Sequence, residues 1–179
     1  VTNRKLQAAV MTDPLTRLPN RRYAMERIEQ EWSAARRRKG PIACIVVDVD
    51  HFKRVNDTYG HDAGDTVLCN VAQRLRSATR LQDSVCRTGG EEFLVICPET
   101  TEADAWTHAE RLRVLVTELH HAGLPREAHP TISLGVASVI PGSGSSAELM
   151  KNADRALYLA KAQGRNRSAR LPIASSAQV

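Results

Sequence analysis

Aromatic residues are scarce in this sequence, at 4%, so any core has to be built from Val, Leu, Ile and Ala. Cysteine is sparse too. The four, Cys44, Cys69, Cys86 and Cys97, form no C-x-x-C pair, and each sits inside an apolar segment. That excludes zinc-ribbon spacing and a disulfide framework, and reads as buried, reduced thiols of a cytoplasmic protein. No apolar run approaches the roughly 20 residues of a membrane span, and no secretory leader is visible. Direct membrane insertion is therefore not expected. Because the first residue is Val1, we expect a fragment of a longer protein, whose N-terminal part would carry a sensor or a membrane anchor. A strong excess of one charge is also lacking. The net charge of +5 suits an anionic ligand but is too small and scattered for nucleic acid. Its densest run, Arg36-Arg37-Arg38-Lys39, falls at a predicted helix end, where cations complement the macrodipole.

What is present suffices for one ordinary domain: 179 residues, 42% of them hydrophobic, a length and balance that make wholesale disorder implausible. Weak helical character over residues 1–12 reads as the end of a helical linker from an upstream module. Residues 13–22, D-P-L-T-R-L-P-N-R-R, form a structured loop whose Asn20 caps the next helix. Met25, Ile28, Trp32 and Ala35 share one face of that helix. Residues 42–47, I-A-C-I-V-V, read as a strand covered on both faces. Helices follow over 64–79 and 101–121, strands over 84–87, 93–97 and 131–140, and a last helix begins after Ser145, which with Glu148 has capping-box spacing. Gly164 suits its C-terminal end. Residues 166–171 read as an edge strand, and the tail from 172 as frayed. One hairpin among helical crossovers implies an α+β fold with helices packed on a mixed sheet.

Three stretches carry chemistry. The buried strand ends in Asp48-Val49-Asp50, and alternation places both carboxylates on one face. Paired carboxylates there suit Mg²⁺; a solvated pair is the plainer alternative. Next comes an unusual density of polar groups: Lys53, Asn56, Asp57, His61 and Asp65. A carboxylate at Asp65 matches the N1–H and N2–H₂ edge of guanine, Asn56 suits its other edge atoms, and Lys53 can reach phosphates. Taken singly, each also suits a turn or a cap, and a lone His61 suits a structural hydrogen bond. The third stretch, R-T-G-G-E-E-F over residues 87–93, reads as a hairpin with a two-residue Gly-Gly turn at positive φ. Its bare backbone leaves room for a ligand, and it holds Glu91 and Glu92 at a strand tip. If this tip lies beside Asp48, three or four carboxylates meet at one point, and their repulsion calls for a cation.

With these blocks in order (D-P-L-T-R-L-P-N-R-R, D-V-D-H-F-K-R-V-N-D-T-Y-G-H-D-A-G-D, R-T-G-G-E-E-F, T-I-S-L-G-V-A and A-D-R-A-L-Y-L-A-K-A-Q-G-R-N-R), the chain resembles a GGDEF domain of the diguanylate cyclase family, in its G-G-E-E-F variant, over residues 13–171. The resemblance implies a nucleotidyl-cyclase or polymerase-palm fold with a ferredoxin-like core and a central mixed five-stranded sheet. It implies condensation of two GTP into cyclic di-GMP and two pyrophosphates by a homodimer, each subunit holding one GTP. The implied metal is Mg²⁺, with Mn²⁺ as a substitute, on Asp48, the Val49 carbonyl, Glu91 and Glu92. Glu91 would also be the base for the ribose 3′-OH. Asn56, His61 and Asp65 would line the guanine pocket. Phe52 and Lys53 would hold phosphate through backbone amides, with the Lys53 ammonium stabilising transition-state charge. Lys161 and Arg165 would take the terminal phosphates, and Gly89 and Gly90 would admit the nucleotide. Arg80-x-x-Asp83 matches the family's inhibitory product site; a surface ion pair is the alternative. A silent module that binds GTP or cyclic di-GMP to regulate an attached domain is the rival function.

Overall fold

The computed structural model describes residues 10–172. The expected linker over 1–12 and the tail from 172 therefore lie mostly outside the described residues. Helix α1 (Arg21–Arg38) leads into strand β1 (Ile42–Val49); α2 (Phe52–Tyr59) and α3 (His61–Ser77) follow. The hairpin β2 (Ser84–Arg87) and β3 (Glu92–Pro98) comes next, then α4 (Glu102–Thr117). After a 3-10 turn come β4 (Ile132–Val139), α5 (Ser146–Ala162) and β5 (Ser168–Arg170). The five strands run in the order β2-β3-β1-β4-β5. All neighbours are antiparallel except β4 and β5, so the sheet is mixed.

Strand β1 lies in the middle and is buried along its whole length, which is why its sequence is a continuous apolar run rather than an alternating one. Ala43, Ile45, Val47 and Val49 face α3 and α4, meeting Val67, Val71, Leu75, Ala105, Ala109 and Leu112. Ile42, Cys44 and Val46 face α1 and α5, meeting Ile28, Trp32, Leu149, Ala153 and Leu157. Helices thus cover both faces of the sheet, and a core whose buried aromatics among the described residues are Trp32 and Phe93 is filled mainly by interleaved aliphatic side chains. Ala24 rather than Met25 takes the buried position in α1, Met25 packing at its edge. All four cysteines are free thiols; Cys44, Cys86 and Cys97 are buried and Cys69 is half-buried.

Three expectations need correction. The eight-residue helix α2 fills the stretch after β1, and α3 starts at His61 rather than residue 64. Gly60 separates the two helices with φ 90°, a conformation glycine reaches without the Cβ penalty. Helix α4 ends at Thr117, four residues short of expectation. The Gly-Gly link is a wider turn than two residues, spanning 88–91 between β2 and β3, and neither glycine has positive φ. Thr88 N–H and Gly89 N–H both donate to the Glu92 carbonyl, at 3.0 and 3.4 Å, which closes that wider loop without a left-handed residue.

Two layers meet closely at Gly135 in β4, where α5 lies directly on the strand. A Cβ there would come 2.1 Å from the Ala153 carbonyl oxygen and 2.3 Å from the Leu157 nitrogen. Both are backbone atoms, so a whole helix would have to move. Gly135→Ala is expected to cost about 3 kcal/mol or more of stability, measured by urea unfolding. A loss within about 0.5 kcal/mol would contradict this packing.

Candidate active site

The site grows from the open end of β1. Asp48 is paired across the sheet with Glu92 of β3, and opposite residues of an antiparallel pair project to the same face. Val49 N–H donates to the Glu91 carbonyl at 3.1 Å, fixing the turn beside the strand end. Lys161, on the last turn of α5, places its Nζ 3.1 Å from Asp48 Oδ2. Burial pushes the Asp48 carboxyl up to about 6; the Lys161 ammonium pulls it down, and the charges of Glu91 and Glu92 raise it again. A carboxylate this destabilised is relieved by a proton or by a cation.

Asp50 departs from its expected role. It shares the Asp48 face, but its oxygens are taken by protein donors: Ser133 Oγ donates to Oδ1 at 2.6 Å, Thr131 Oγ1 to Oδ2 at 2.7 Å and Asn166 N–H to Oδ2 at 3.0 Å. It is not free to pair with Asp48 around a metal. Glu91 projects from the turn rather than from the strand. Among the described residues, no three His, Cys or acidic side chains are gathered as a ready-made metal cage. The expected meeting of three or four carboxylates comes to three, Asp48 beside Glu92 with Glu91 near. Hard oxygens on one side of a site still fit Mg²⁺, which binds through one or two carboxylates and completes its shell with waters and substrate phosphates.

Helices α2 and α3 supply the next wall. The N-cap residue of α2, His51, is left-handed and makes no side-chain capping bond. The amides of Phe52 and Lys53 open the helix, where N–H groups have no intrahelical partner and suit a phosphate. Lys53 is exposed, and so are His61 and Asp65. Asn56 is half-buried, and its Oδ1 is buried without a hydrogen-bond partner. That oxygen lies where a Cβ on Gly64, the neighbour of Asp65, would stand, 1.8 Å from it. Gly64 therefore lets Asn56 sit against α3, and its orphaned acceptor is a polar edge waiting for a donor.

The hairpin turn is held by residues that the motifs did not single out. The Arg87 guanidinium donates to the Gly89 and Gly90 carbonyls at 2.8 to 3.2 Å and to both oxygens of Asp13 at 3.0 and 3.1 Å. Burial alone would raise the Asp13 carboxyl; hydrogen bonds from Thr16 and Arg87 hold it below its usual range. Arg87 N–H also donates to Pro19 O at 2.9 Å, and Leu18 is buried in the core. The loop over residues 13–20 is thereby stitched to the glycine turn. Around Gly90 a Cβ would meet nothing within 4 Å, while at Gly89 it would crowd Glu92 Oε2 at 3.1 Å. The available signal was an Arg and an Asp at the borders of two recognised blocks, but only the fold shows that they meet.

At the other end of β2, Arg80 pairs with Asp83 in a fork, Nε to Oδ2 at 3.2 Å and Nη2 to Oδ1 at 3.3 Å, and donates to Thr100 Oγ1 at 2.7 Å. The pair borders a cleft of about 340 Å³ that Tyr23, Arg27, Arg76 and Leu81 also line. Arg165 lies in the bend after α5, half-buried, with φ 65°.

Residues 10–167 match the family model described as "Diguanylate cyclase, GGDEF domain". The chain belongs to the GGDEF family. Among curated relatives, this GGDEF domain is 46% identical over 169 residues to the response regulator PleD of Caulobacter vibrioides, covering 90% of this chain and 36% of that one. It is 37% identical to a diguanylate cyclase of Vibrio cholerae, over 87% of this chain and 48% of that one. The chain thus spans less than half the length of these relatives. A solved structure of the coiled coil and GGDEF domain of DgcB from Caulobacter crescentus in complex with c-di-GMP matches with a TM-score of 0.87 at 32% identity, covering 94% of this chain and 89% of that one. The active GGEEF domain of a diguanylate cyclase from Vibrio cholerae matches at 0.78 and 35% identity, over 84% of this chain and 95% of that one. The expected five-stranded palm-like sheet with flanking helices is the fold these structures share with it.

Side chains of Arg87 and Asp13 are only 16% and 15% exposed, so breaking the pair strands a mostly buried carboxylate. Arg87→Met is expected to cost about 2–3 kcal/mol and to speed amide exchange at Thr88 and Val49. Parental stability with unchanged exchange at both amides would show that the turn does not depend on this clamp.

Proposed function

We propose that this GGDEF domain is a diguanylate cyclase that condenses two GTP into cyclic di-GMP and two pyrophosphates. The observation that carries the reading is the pairing of Asp48 with Glu92 at the mouth of the sheet, with Glu91 beside them and one ammonium facing the group. Such a charge arrangement suits a site that takes a polyanion together with a divalent cation. The names of the curated relatives and the family description support the same reading.

Asp48, the Val49 carbonyl, Glu91 and Glu92 would hold Mg²⁺ or, in its place, Mn²⁺. When bound, the ion lowers the pKa of the ribose 3′-OH and neutralises the triphosphate. Glu91, in the turn just before β3, accepts the 3′-OH proton as that oxygen attacks the α-phosphorus of the second GTP. Amides of Phe52 and Lys53 orient the phosphates, and the Lys53 ammonium meets the charge that grows in the transition state. Lys161, one-third exposed, exchanges Asp48 for the terminal phosphates, joined by Arg165. The orphaned Asn56 oxygen accepts from the guanine amine, and Asp65 accepts from N1–H, which favours GTP over ATP. His61 borders the same pocket. Gly89 and Gly90 keep the turn bare where the nucleotide passes. Each domain holds one of the two GTP molecules, so a homodimer brings the half-sites face to face, set by an upstream sensor segment.

Glu91→Gln keeps size and removes the base and one metal ligand. Turnover of GTP to cyclic di-GMP is expected to fall at least about a thousand-fold while the melting temperature stays within a few degrees. Parental turnover would remove Glu91 from the chemistry.

Arg80 and Asp83 form, in this reading, a product site on the far end of β2. A guanidinium suits the O6/N7 edge of guanine, a contact worth about 1–3 kcal/mol. Arg80→Ala should therefore raise the cyclic di-GMP concentration needed for half-inhibition by about tenfold or more, with initial turnover unchanged. An unshifted inhibition curve would return Arg80 and Asp83 to an ordinary surface ion pair.

A further inference from the structure

Asp50 is a buried acid that the proposed reaction does not use. It is 3% exposed, and among the described residues no Lys, Arg or His forms an ion pair with it. Burying a charge without a counter-charge is costly unless its lone pairs are filled. Here three donors fill them, and the distant one in sequence is the backbone N–H of Asn166, at 3.0 Å.

That N–H belongs to a strained bend. Arg165 and Asn166 are consecutive and both left-handed, with φ 65° and 46°. Each non-glycine residue in that region costs about 1 kcal/mol or more, so the bend persists because its partners hold it. Arg165 N–H donates to Ala160 O at 3.0 Å, ending α5, and Leu134 N–H donates to Arg167 O at 3.0 Å, beginning β5. Between these two anchors the sole backbone donor at Asn166 meets a carboxylate, and charged acceptors make the stronger hydrogen bonds. The carboxylate is itself oriented by Thr131 and Ser133 from β4 and its approach. The bend follows the end of α5 at Ala162, with Lys161 one turn before Arg165 and its Nζ at Asp48.

We propose that Asp50 is a positioning residue, whose carboxylate grips the Asn166 amide and so sets Lys161 and Arg165 for the terminal phosphates of the nucleotide. This rests on the reading of Lys161 and Arg165 as phosphate-binding groups. Asp50 thereby acts through the chain, touching neither metal nor substrate.

The test compares binding of a non-hydrolysable GTP analogue with binding of GMP, which lacks terminal phosphates, by calorimetry on the parent and variants. Asp50→Asn keeps shape but loses charge; it should weaken the triphosphate analogue about tenfold and leave GMP within about twofold. Glycine adopts the left-handed bend without a partner, so in an Asn166→Gly background Asp50→Asn should cost no triphosphate selectivity. That background also keeps the comparison measurable if Asp50→Asn alone folds poorly. Arg165→Ala combined with Asp50→Asn should lose less than the sum of the two single losses, as residues acting in one unit do. If Lys161→Ala and Arg165→Ala weaken the triphosphate analogue but Asp50→Asn weakens both ligands equally, or not at all, the positioning role is overturned and the phosphate reading stands. If none of the three distinguishes the ligands, the phosphate reading falls and the positioning role falls with it. A loss that Asn166→Gly does not restore also overturns the proposal.

Discussion

Two carboxylates facing each other at the end of a buried strand set the terms for the rest of this domain. Asp48 and Glu92 are register partners, so their repulsion cannot be relieved by turning one of them to the other face of the sheet without shifting every residue of the hairpin. Relief has to come from positive charge. The protein supplies one ammonium, from Lys161, and its pull does not return the Asp48 carboxyl to the usual range. The remaining imbalance is the physical basis for expecting a divalent cation and a phosphorylated substrate at this point.

Everything nearby serves to keep that arrangement in place. The hairpin carrying Glu91 and Glu92 is gripped by Arg87, which spends its donors on two glycine carbonyls and Asp13. Asp13 in turn belongs to the loop that precedes α1, so the chain entering the domain is tied to the turn beside the carboxylates. On the other side, α5 is pressed onto β4 at Gly135 and ends in the bend that Asp50 holds. Lys161 of α5 therefore reaches Asp48 in a site whose own strands are fixed by the sheet.

Much of this was legible in the sequence because it depends on period and punctuation. The apolar run of β1 turning acidic at Asp48 announced a site at a strand end, and Gly164, Ser145 and Asn20 marked helix ends that the structure keeps near those positions. Strand alternation placed Asp48 and Asp50 on one face correctly. It could not show that Thr131, Ser133 and Asn166, 81 to 116 residues away, would consume the second carboxylate. Arg87 and Asp13, 74 residues apart, were hidden for the same reason: a tertiary contact leaves no local pattern. The Gly-Gly turn misled in another way. Glycine pairs suit positive φ, yet here they serve space and exposed carbonyls for Arg87, a use that only the surroundings of the turn reveal.

The most direct test is to incubate the protein with GTP and Mg²⁺ across a wide range of protein concentration and to separate cyclic di-GMP and pyrophosphate by chromatography. If the carboxylate pair is half of a split site, product forms only with the divalent cation, and turnover per domain rises with protein concentration until the dimer is saturated. No product, even with two domains forced together by a fused coiled coil, would contradict the account and leave a module that binds nucleotide without reacting it.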